Sequence, residues 1–439
     1  MRQLVISAAA LLLSVAAGAQ QGPWSLSDCI DYALEHNLTV QQSRLTVEQR
    51  EVELNTAQMS RLPSFSASAS ENLSFGRGLT ADNTYSNSNT TSTSFSLGGS
   101  VPIFQGFEIN NSIKLGKLNL EAATVDLEKA RDDIRVAVAQ AYVQILYNQE
   151  IVRVAKEQEG HDEVLLEQVR ERMGAGKVSA AEVSAQQATL AQSRQSRIQA
   201  EGNLQLAMLD LTQLLELPSP EGFSIVTPEI GEVSKVLLMR PEAIFAEAVQ
   251  VKPSVESAQL GVDYAKLSID KAKGGYLPSL SLSGGLGTNF YTNSKMASAS
   301  FGDQIKNNFS QYVGLSLNIP IFQKFSVRNQ VRSAEINYRG QQIQLESVKK
   351  SLYKEIQQAY YNAENSQARY DGSHEAATSA KEHYELTEEK YKVGKAGIAE
   401  YNDARNSWLK AESEHVQARY QCLYQTKLLD FYRGKELSF

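Results

Sequence analysis

Ile-Pro-Ile-Phe-Gln-Lys-Phe at 319–325 repeats Val-Pro-Ile-Phe-Gln-Gly-Phe at 101–107, 218 residues earlier in the chain. Each copy ends an alternating, strand-like run and begins a long helical pattern. Proline has no backbone donor and turns the residue before it away from the helical region, so it suits a junction between a strand and a helix. Working outward from the two copies, the chain reads as one architecture written twice. The first repeat covers 20–240 and the second 241–439.

Before the first copy, Leu-Pro-Ser-Phe at 62–65 opens a run in which Phe65, Ala67, Ala69, Leu73 and Phe75 alternate with serines. Period two with one apolar face predicts a strand. A second alternating run leads through Phe95, Leu97 and Gly99 to Pro102. The predicted strand pair is 62–75 and 92–104, with a Gly-, Asn-, Ser- and Thr-rich loop at 76–91. The second repeat offers 277–290 and 310–322 around a loop at 291–309. Pro278 matches Pro63 and Pro320 matches Pro102, so all four prolines are predicted barrel–helix hinges.

Behind each hinge the apolar positions step by four and three: Ile109, Ile113, Gly116, Leu120, Ala123, Leu127, Ala130, Ile134. Val327, Val331, Ala334, Tyr338, Gln341, Leu345, Val348 and Leu352 repeat that series. A spacing near 3.5 predicts left-handed supercoiling. A second stripe through Leu118, Val125, Val136, Val143 and Leu146 predicts neighbours on both sides. The first long helix should break at Gly174-Ala175-Gly176 and return from Val178 to about Leu217. The second breaks near 393–397. A shorter helix is predicted over 26–60, with Ser25 or Ser27 as its cap.

The 439 residues hold 43 Lys and Arg against 50 Asp and Glu, a net charge of −7. Residues 1–19 read as a signal peptide, with Arg2, an apolar core over 4–17 and Ala17-Gly18-Ala19 as the cleavage pattern. Its removal takes one cation and leaves −8. An acidic exported chain argues against nucleic acid and against a polybasic membrane patch. No later stretch is long and apolar enough for a membrane helix, whereas membrane strands carry a far weaker signal. Cys29 and Cys422 stand 393 residues apart, which favours two buried thiols over a disulfide framework.

No enzyme motif survives inspection. Gly176-Lys177 lacks the upstream glycine of a phosphate loop, and Val178 follows it. His36, His161, His374, His383 and His415 show no metal-ligand spacing, and there is no Gly-x-Ser-x-Gly elbow. No cofactor is expected.

Four strands cannot close a barrel, and an open sheet in lipid leaves unpaired edges. Three chains would supply twelve strands, so a cyclic homotrimer is expected. The competing reading is a structural or adhesive coiled-coil envelope protein with no pore, which fits the heptads and export but leaves the duplicated strand pairs without a purpose.

The Leu-Pro strand starts, the two Pro-Ile-Phe-Gln hinges and a duplicated helix-turn motif, in order and twice, resemble the TolC-type outer-membrane efflux protein family over essentially the whole mature chain. That motif runs from Met173 through Gly174, Gly176 and Lys177 to Glu182 and Val183, and again from Tyr391 through Gly394 and Lys395 to Glu400, Tyr401 and Asp403. The resemblance implies a mixed α+β membrane protein: a twelve-stranded trimeric β-barrel, four strands per chain, continuing into a long periplasmic α-helical coiled-coil barrel. It implies a bacterial outer-membrane location and a passive conduit for tripartite efflux or type I secretion. An adaptor (membrane fusion) protein in the periplasm and an inner-membrane pump such as an RND or ABC transporter would be its partners, beside outer-membrane lipid.

The same resemblance makes Gly174, Gly176, Lys177, Gly394 and Lys395 adaptor-contacting tips. Glu400 and Asp403 become an acidic ring at the pore entrance, and Tyr391 with Glu182 a gate. The chain departs from the family pattern at Ala396, where an arginine is expected, and at Phe107 and Phe325, where a hinge glycine is common. Without threefold symmetry, Glu400 and Asp403 would read as a solvated acidic patch and Gly176 and Gly394 as helix terminators. Phe104, Phe107, Phe322 and Phe325 suit either a membrane-interface girdle or hinge packing.

Overall fold

A computed structural model describes residues 22–79, 83–228 and 237–437. The expected signal peptide, part of the 218–241 connector and the terminal Phe439 lie outside the described residues. The elements are α1 (Leu26–His36), α2 (Leu38–Met59), β1 (Ser64–Leu79), β2 (Tyr85–Gln105), α3 (Glu108–Gly174) and α4 (Ala180–Leu214). They are followed by α5 (Pro241–Val251), α6 (Pro253–Lys273), β3 (Ser279–Asn293), α7 (Phe301–Asn307), β4 (Ser310–Asn318), α8 (Ser326–Lys392) and α9 (Ile398–Tyr432). The repeat is visible in the lengths. α3 and α8 have 67 residues each, α4 and α9 have 35 each, and α1 and α5 have 11 each.

The 26–60 helix is in fact two helices. Asn37 is extended between them, and its side-chain amide donates to Leu214 O at 3.0 Å. Lys252 makes the matching break between α5 and α6, and its ammonium reaches Asp132 at 3.1 Å. Ser25 caps α1 through a reciprocal box with Asp28.

The described residues form two compact units, one drawn from 22–45, 125–256 and 347–437 and the other from 46–124 and 257–346. The second holds one antiparallel sheet in the order β1-β2-β3-β4, so β1 and β4 are open edges. Paired residues place Phe65, Gly99, Gly284 and Val313 in one row and Ser64, Ser100, Ser283 and Gly314 in the next. Opposed residues share a face. One face therefore carries Phe65, Phe75, Phe95, Leu97, Leu282, Val313, Leu315 and Leu317, all exposed. The other is rich in serine and glycine, with Ser68–Ser96 and Ser70–Ser94 hydroxyl pairs at 2.7 Å.

Three strand boundaries differ from expectation. β1 and β2 run on through most of 76–91, because their Asn, Ser and Thr residues pair in register from Gly76–Ser88 out to Leu79–Tyr85. Polar composition imitated a loop. The second loop contains α7, capped by Ser300. β4 ends at Asn318, so Pro320 lies outside any strand, whereas Pro102 sits within β2 at a register shift between Pro102 and Phe104. The missing proline donor is tolerated at such a bulge.

Both hinges use left-handed backbone. Gly106 and Phe107 have φ of 55° and 63°, and Lys324 and Phe325 have 50° and 62°. For a residue with a Cβ that conformation costs about 1–2 kcal/mol. Each phenylalanine meets the one three residues earlier edge to face: Phe104–Phe107 at 5.2 Å and Phe322–Phe325 at 5.5 Å. Such a pair contributes about 0.5–1.5 kcal/mol beyond its buried area, comparable with the strain. The rings thus build the hinge while Phe107, Phe322 and Phe325 remain exposed. Gly106 also lies against Gly274, where an added Cβ would come within 2.3 Å of the Gly274 carbonyl oxygen.

Candidate functional site

The two helix turns lie in the first unit and share one construction. Two residues past the end of each long helix stands a left-handed glycine, Gly176 after α3 (φ 72°) and Gly394 after α8 (φ 74°). Lys177 N donates to Arg172 O at 2.9 Å and Gly176 N to Met173 O at 2.9 Å. Lys395 N donates to Lys390 O at 2.7 Å and Gly394 N to Tyr391 O at 3.1 Å. This is the paired Schellman arrangement, which needs a left-handed residue just past the helix. Gly174, Gly176, Lys177, Gly394 and Lys395 are all exposed.

The return helices begin differently. Ser179 caps α4: Glu182 N donates to its hydroxyl at 3.3 Å, and the Glu182 carboxylate accepts from Ser179 N at 3.2 Å. Its counterpart at α9 is Gly397, which has no side chain to accept from the first-turn amides, and no capping bond forms there to Glu400, the counterpart of Glu182. Glu400 is exposed. Asp403 is exposed on the same face of α9, while Tyr401, Ala404 and Arg405 on the other face are buried. Glu182 therefore serves α4 directly. Its charge still acts on Tyr391, whose hydroxyl pKa is raised by burial, lowered again by Arg172 and raised by Glu182. The Arg172 guanidinium stands 5.0 Å from the Tyr391 ring centroid.

Tyr391 is buried in a cluster with Leu165, Val169, Tyr384 and Tyr401, against which Ala396, Ile398 and Trp408 pack. The methyl group of Ala396 joins this apolar cluster. Tyr391 stacks on Tyr401 at 5.0 Å, and Tyr384 on Trp408 at 5.0 Å. The hydroxyl of Tyr401 lies 2.8 Å from His161 Nε2 and 3.2 Å from the hydroxyl of Tyr384. Burial pushes the Tyr401 phenol well above its usual range, so the ring stays neutral. Burial, then Arg405, lower the His161 pKa.

Below the ring cluster, Arg405 Nη1 on α9 bonds Asp162 on α3, and Arg405 Nη2 donates to Gln158 O at 2.9 Å. Ser193 on α4 donates its hydroxyl to Asp162, and Asn402 Nδ2 donates to Gln186 Oε1 at 3.1 Å. One polar network therefore ties three helices together beneath the turns. Sequence reasoning missed it entirely, because Asp162 and Arg405 are 243 residues apart.

The arrangement holds and positions helices. Among the described residues no group of three or more His, Cys, Asp or Glu is placed to hold a metal. His374 and His415 do come together, with ring centroids 5.1 Å apart. Cys29 and Cys422 are buried, unpaired thiols, and burial pushes Cys29 up to about 12.

The outer membrane efflux protein family matches residues 29–216 and 245–434, one segment in each repeat. The chain belongs to that family. It is 28% identical over 360 residues to outer membrane protein TolC of Escherichia coli (strain K12), covering 79% of this chain and 71% of that one. It is 24% identical over 398 residues to protein CyaE of Bordetella pertussis, covering 89% and 80%. The solved structure of CusC superposes with a TM-score of 0.77 at 16% identity over 95% of both chains, which shows the shared fold. The chain is thus an outer-membrane protein of the efflux-channel class.

Proposed function

We propose that three copies of this chain close a twelve-stranded barrel in the outer membrane, with their helices forming a periplasmic tunnel gated at the turns. The conduit is passive. It receives substrate from an inner-membrane pump through an adaptor protein that contacts Gly174, Gly176, Lys177, Gly394 and Lys395. Relatives named proteases secretion protein PrtF, of Dickeya chrysanthemi, and toxin and drug export protein A, of Aggregatibacter actinomycetemcomitans, support an export role.

One observation carries the reading. The sheet has a predominantly apolar exposed face, a serine–glycine face and two unpaired edges, β1 and β4. In lipid every backbone polar group needs a partner, so β1 of one copy must pair with β4 of the next. The apolar face then meets lipid and the serine–glycine face meets water. α2 adds support. Leu38, Leu45, Val52 and Met59 recur every seven residues and are 63%, 57%, 65% and 48% exposed. A heptad stripe left bare on one chain is the seam for another copy.

Glu400 and Asp403 would converge around the threefold axis and attract cations at the entrance. Tyr391, held by its neighbours and biased by Glu182, belongs to the gate. The test is single-channel conductance in a planar bilayer, together with the mass of the detergent-solubilised particle. A trimer with small conductance, raised by loosening the turns, is expected. A properly inserted trimer that never conducts would overturn the conduit.

A further inference from the structure

Beside the first hinge, within the sheet-bearing unit, lies a cavity of about 860 Å³ lined by Arg61, Lys114, Lys117 and Lys273, with Asp270 as its single carboxylate. Asp270 is loosely held by Lys273 at 3.8 Å. Arg61 Nη2 donates to Oδ1 of Asn110, another residue of the lining, at 2.8 Å. Among the described residues Lys114 and Lys117 have no ion-pair partner. Phe107 and Leu277 complete the wall and are exposed.

The cluster is not required to build a hinge. The second repeat keeps a cation, Arg332, where the first has Lys114, but it has Tyr276 in place of Arg61 and Glu335 in place of Lys117. The full cluster is specific to the first hinge. Its place is equally specific, because Arg61 stands three residues before β1 and Lys273 six before β3. The apolar face of the sheet begins there, with Phe65, Leu282 and Leu317. Apolar surface adjoining a concave site with a net excess of three cations matches an amphiphile whose head bears a phosphate.

We infer that this cavity binds the phosphate of an anionic phospholipid headgroup at the periplasmic rim of the barrel, one lipid per chain, with the acyl chains on the apolar face. The inference rests on the outer-membrane channel reading. Lysine and arginine attract anionic lipid strongly enough for a few of them to set a preference, and arginine adds bidentate geometry toward phosphate.

The full-length protein in neutral detergent is titrated with short-chain phosphatidylglycerol, phosphatidylcholine of equal chain length, and sodium phosphate, with bound lipid counted by native mass spectrometry. Phosphatidylglycerol is expected to bind on the order of tenfold more tightly than phosphatidylcholine. Lys114→Gln/Lys117→Gln abolishes the preference, Arg61→Gln weakens it, and Lys349→Gln/Lys350→Gln leaves it intact. Equal binding of the two lipids overturns the inference, as does a preference that survives the double variant. Phosphate that competes as well as the lipid assigns the site to a free anion and overturns the headgroup. Conductance in a pure phosphatidylcholine bilayer reports on the channel separately, so the two failures are distinguishable.

Discussion

Arg405 on α9 and Asp162 on α3 form an ion pair with side chains 4% and 0% exposed. Two charges so deeply buried are sustained only by mutual contact and by further hydrogen bonds. Here Gln158 O and the Ser193 hydroxyl supply them. Removing one partner strands the other charge. Arg405→Ala is expected to destabilise the packing beneath the turns by about 3–5 kcal/mol. Hydrogen exchange at the ends of α3 and α8 should quicken, and conductance should rise. Asp162→Leu/Arg405→Met leaves no orphaned charge and should be milder than Arg405→Ala. Equal damage from both would show that the pair does more than balance itself.

The same cluster predicts a response to acid. His161 Nε2 lies within hydrogen-bond distance of the Tyr384 and Tyr401 hydroxyls, its ring feels the charges of Arg405, Asp162, Glu388 and Lys392, and its Nδ1 has no hydrogen-bond partner among the described residues. Its folded pKa lies below the ordinary value of 6.5. The unfolded chain then binds the proton more readily, so stability rises with pH across that interval. The contribution is complete above about 6.5 and is lost as pH falls through the lower folded value. His415, also lowered by burial and by His374, adds in the same direction. Thermal midpoints should drop between neutral and mildly acid solution, and His161→Gln should flatten that dependence. A wild-type profile already flat there would remove His161 from the account.

Much of this was legible beforehand because it repeats. The hinges, the long helices and both turns sit at fixed offsets, and Gly176 and Gly394 announce the same helix stop. The long strand ends were not legible, because the Ser, Thr and Asn of 86–91 have loop composition and acquire strand geometry only when paired. The polar network was invisible for another reason. Nothing local marks Asp162, Gln186 or Arg405, and only the packing of α3, α4 and α9 joins them. Glu182 and Glu400 looked equivalent in sequence. The difference between them lies three residues upstream, where Ser179 has a hydroxyl and Gly397 has none.

That difference separates two roles for Glu182. As the third residue of a capping box, it can be replaced by glutamine with the cap retained. Glu182→Gln should therefore hold the stability of α4, and Glu182→Ala should lower it by about 1 kcal/mol. If the carboxylate charge biases Tyr391, conductance should change in both variants. A change confined to Glu182→Ala would assign the effect to the cap alone. Chemical denaturation and single-channel recording on the same preparations make the comparison.

The hinge strain is testable as well. Lys324 holds φ of 50° with no ring contact to offset it, unlike Phe325 beside it. Lys324→Gly should be neutral to stabilising by up to about 1 kcal/mol, since relief of left-handed strain opposes the entropy that glycine loses on folding. Gly106→Ala should be strongly destabilising, because the new Cβ meets the Gly274 carbonyl. Thermal unfolding of the two variants beside wild type decides it, and a harmless Gly106→Ala would mean the close approach can relax.

Glu400 offers the sharpest test of the entrance. Its carboxylate makes no capping bond, and Gly397, at the N-cap of α9 with φ −80° and ψ 163°, lacks the hydroxyl that in the first repeat both caps the helix and donates to the carboxylate of Glu182. Those angles suit serine without strain. Gly397→Ser should recreate the box that Ser179 and Glu182 form, drawing Glu400 back onto the N-cap backbone amide and stabilising α9 by about 1 kcal/mol. The charge would remain but would turn toward the helix end and away from the axis. Cation preference, read from reversal potentials in a salt gradient, should fall in Gly397→Ser and fall further in Glu400→Gln/Asp403→Asn. Stabilisation of α9 without any change in selectivity would leave Glu400 outside the conducting path. A loss of selectivity confined to the double variant would instead place the effective charge on Asp403.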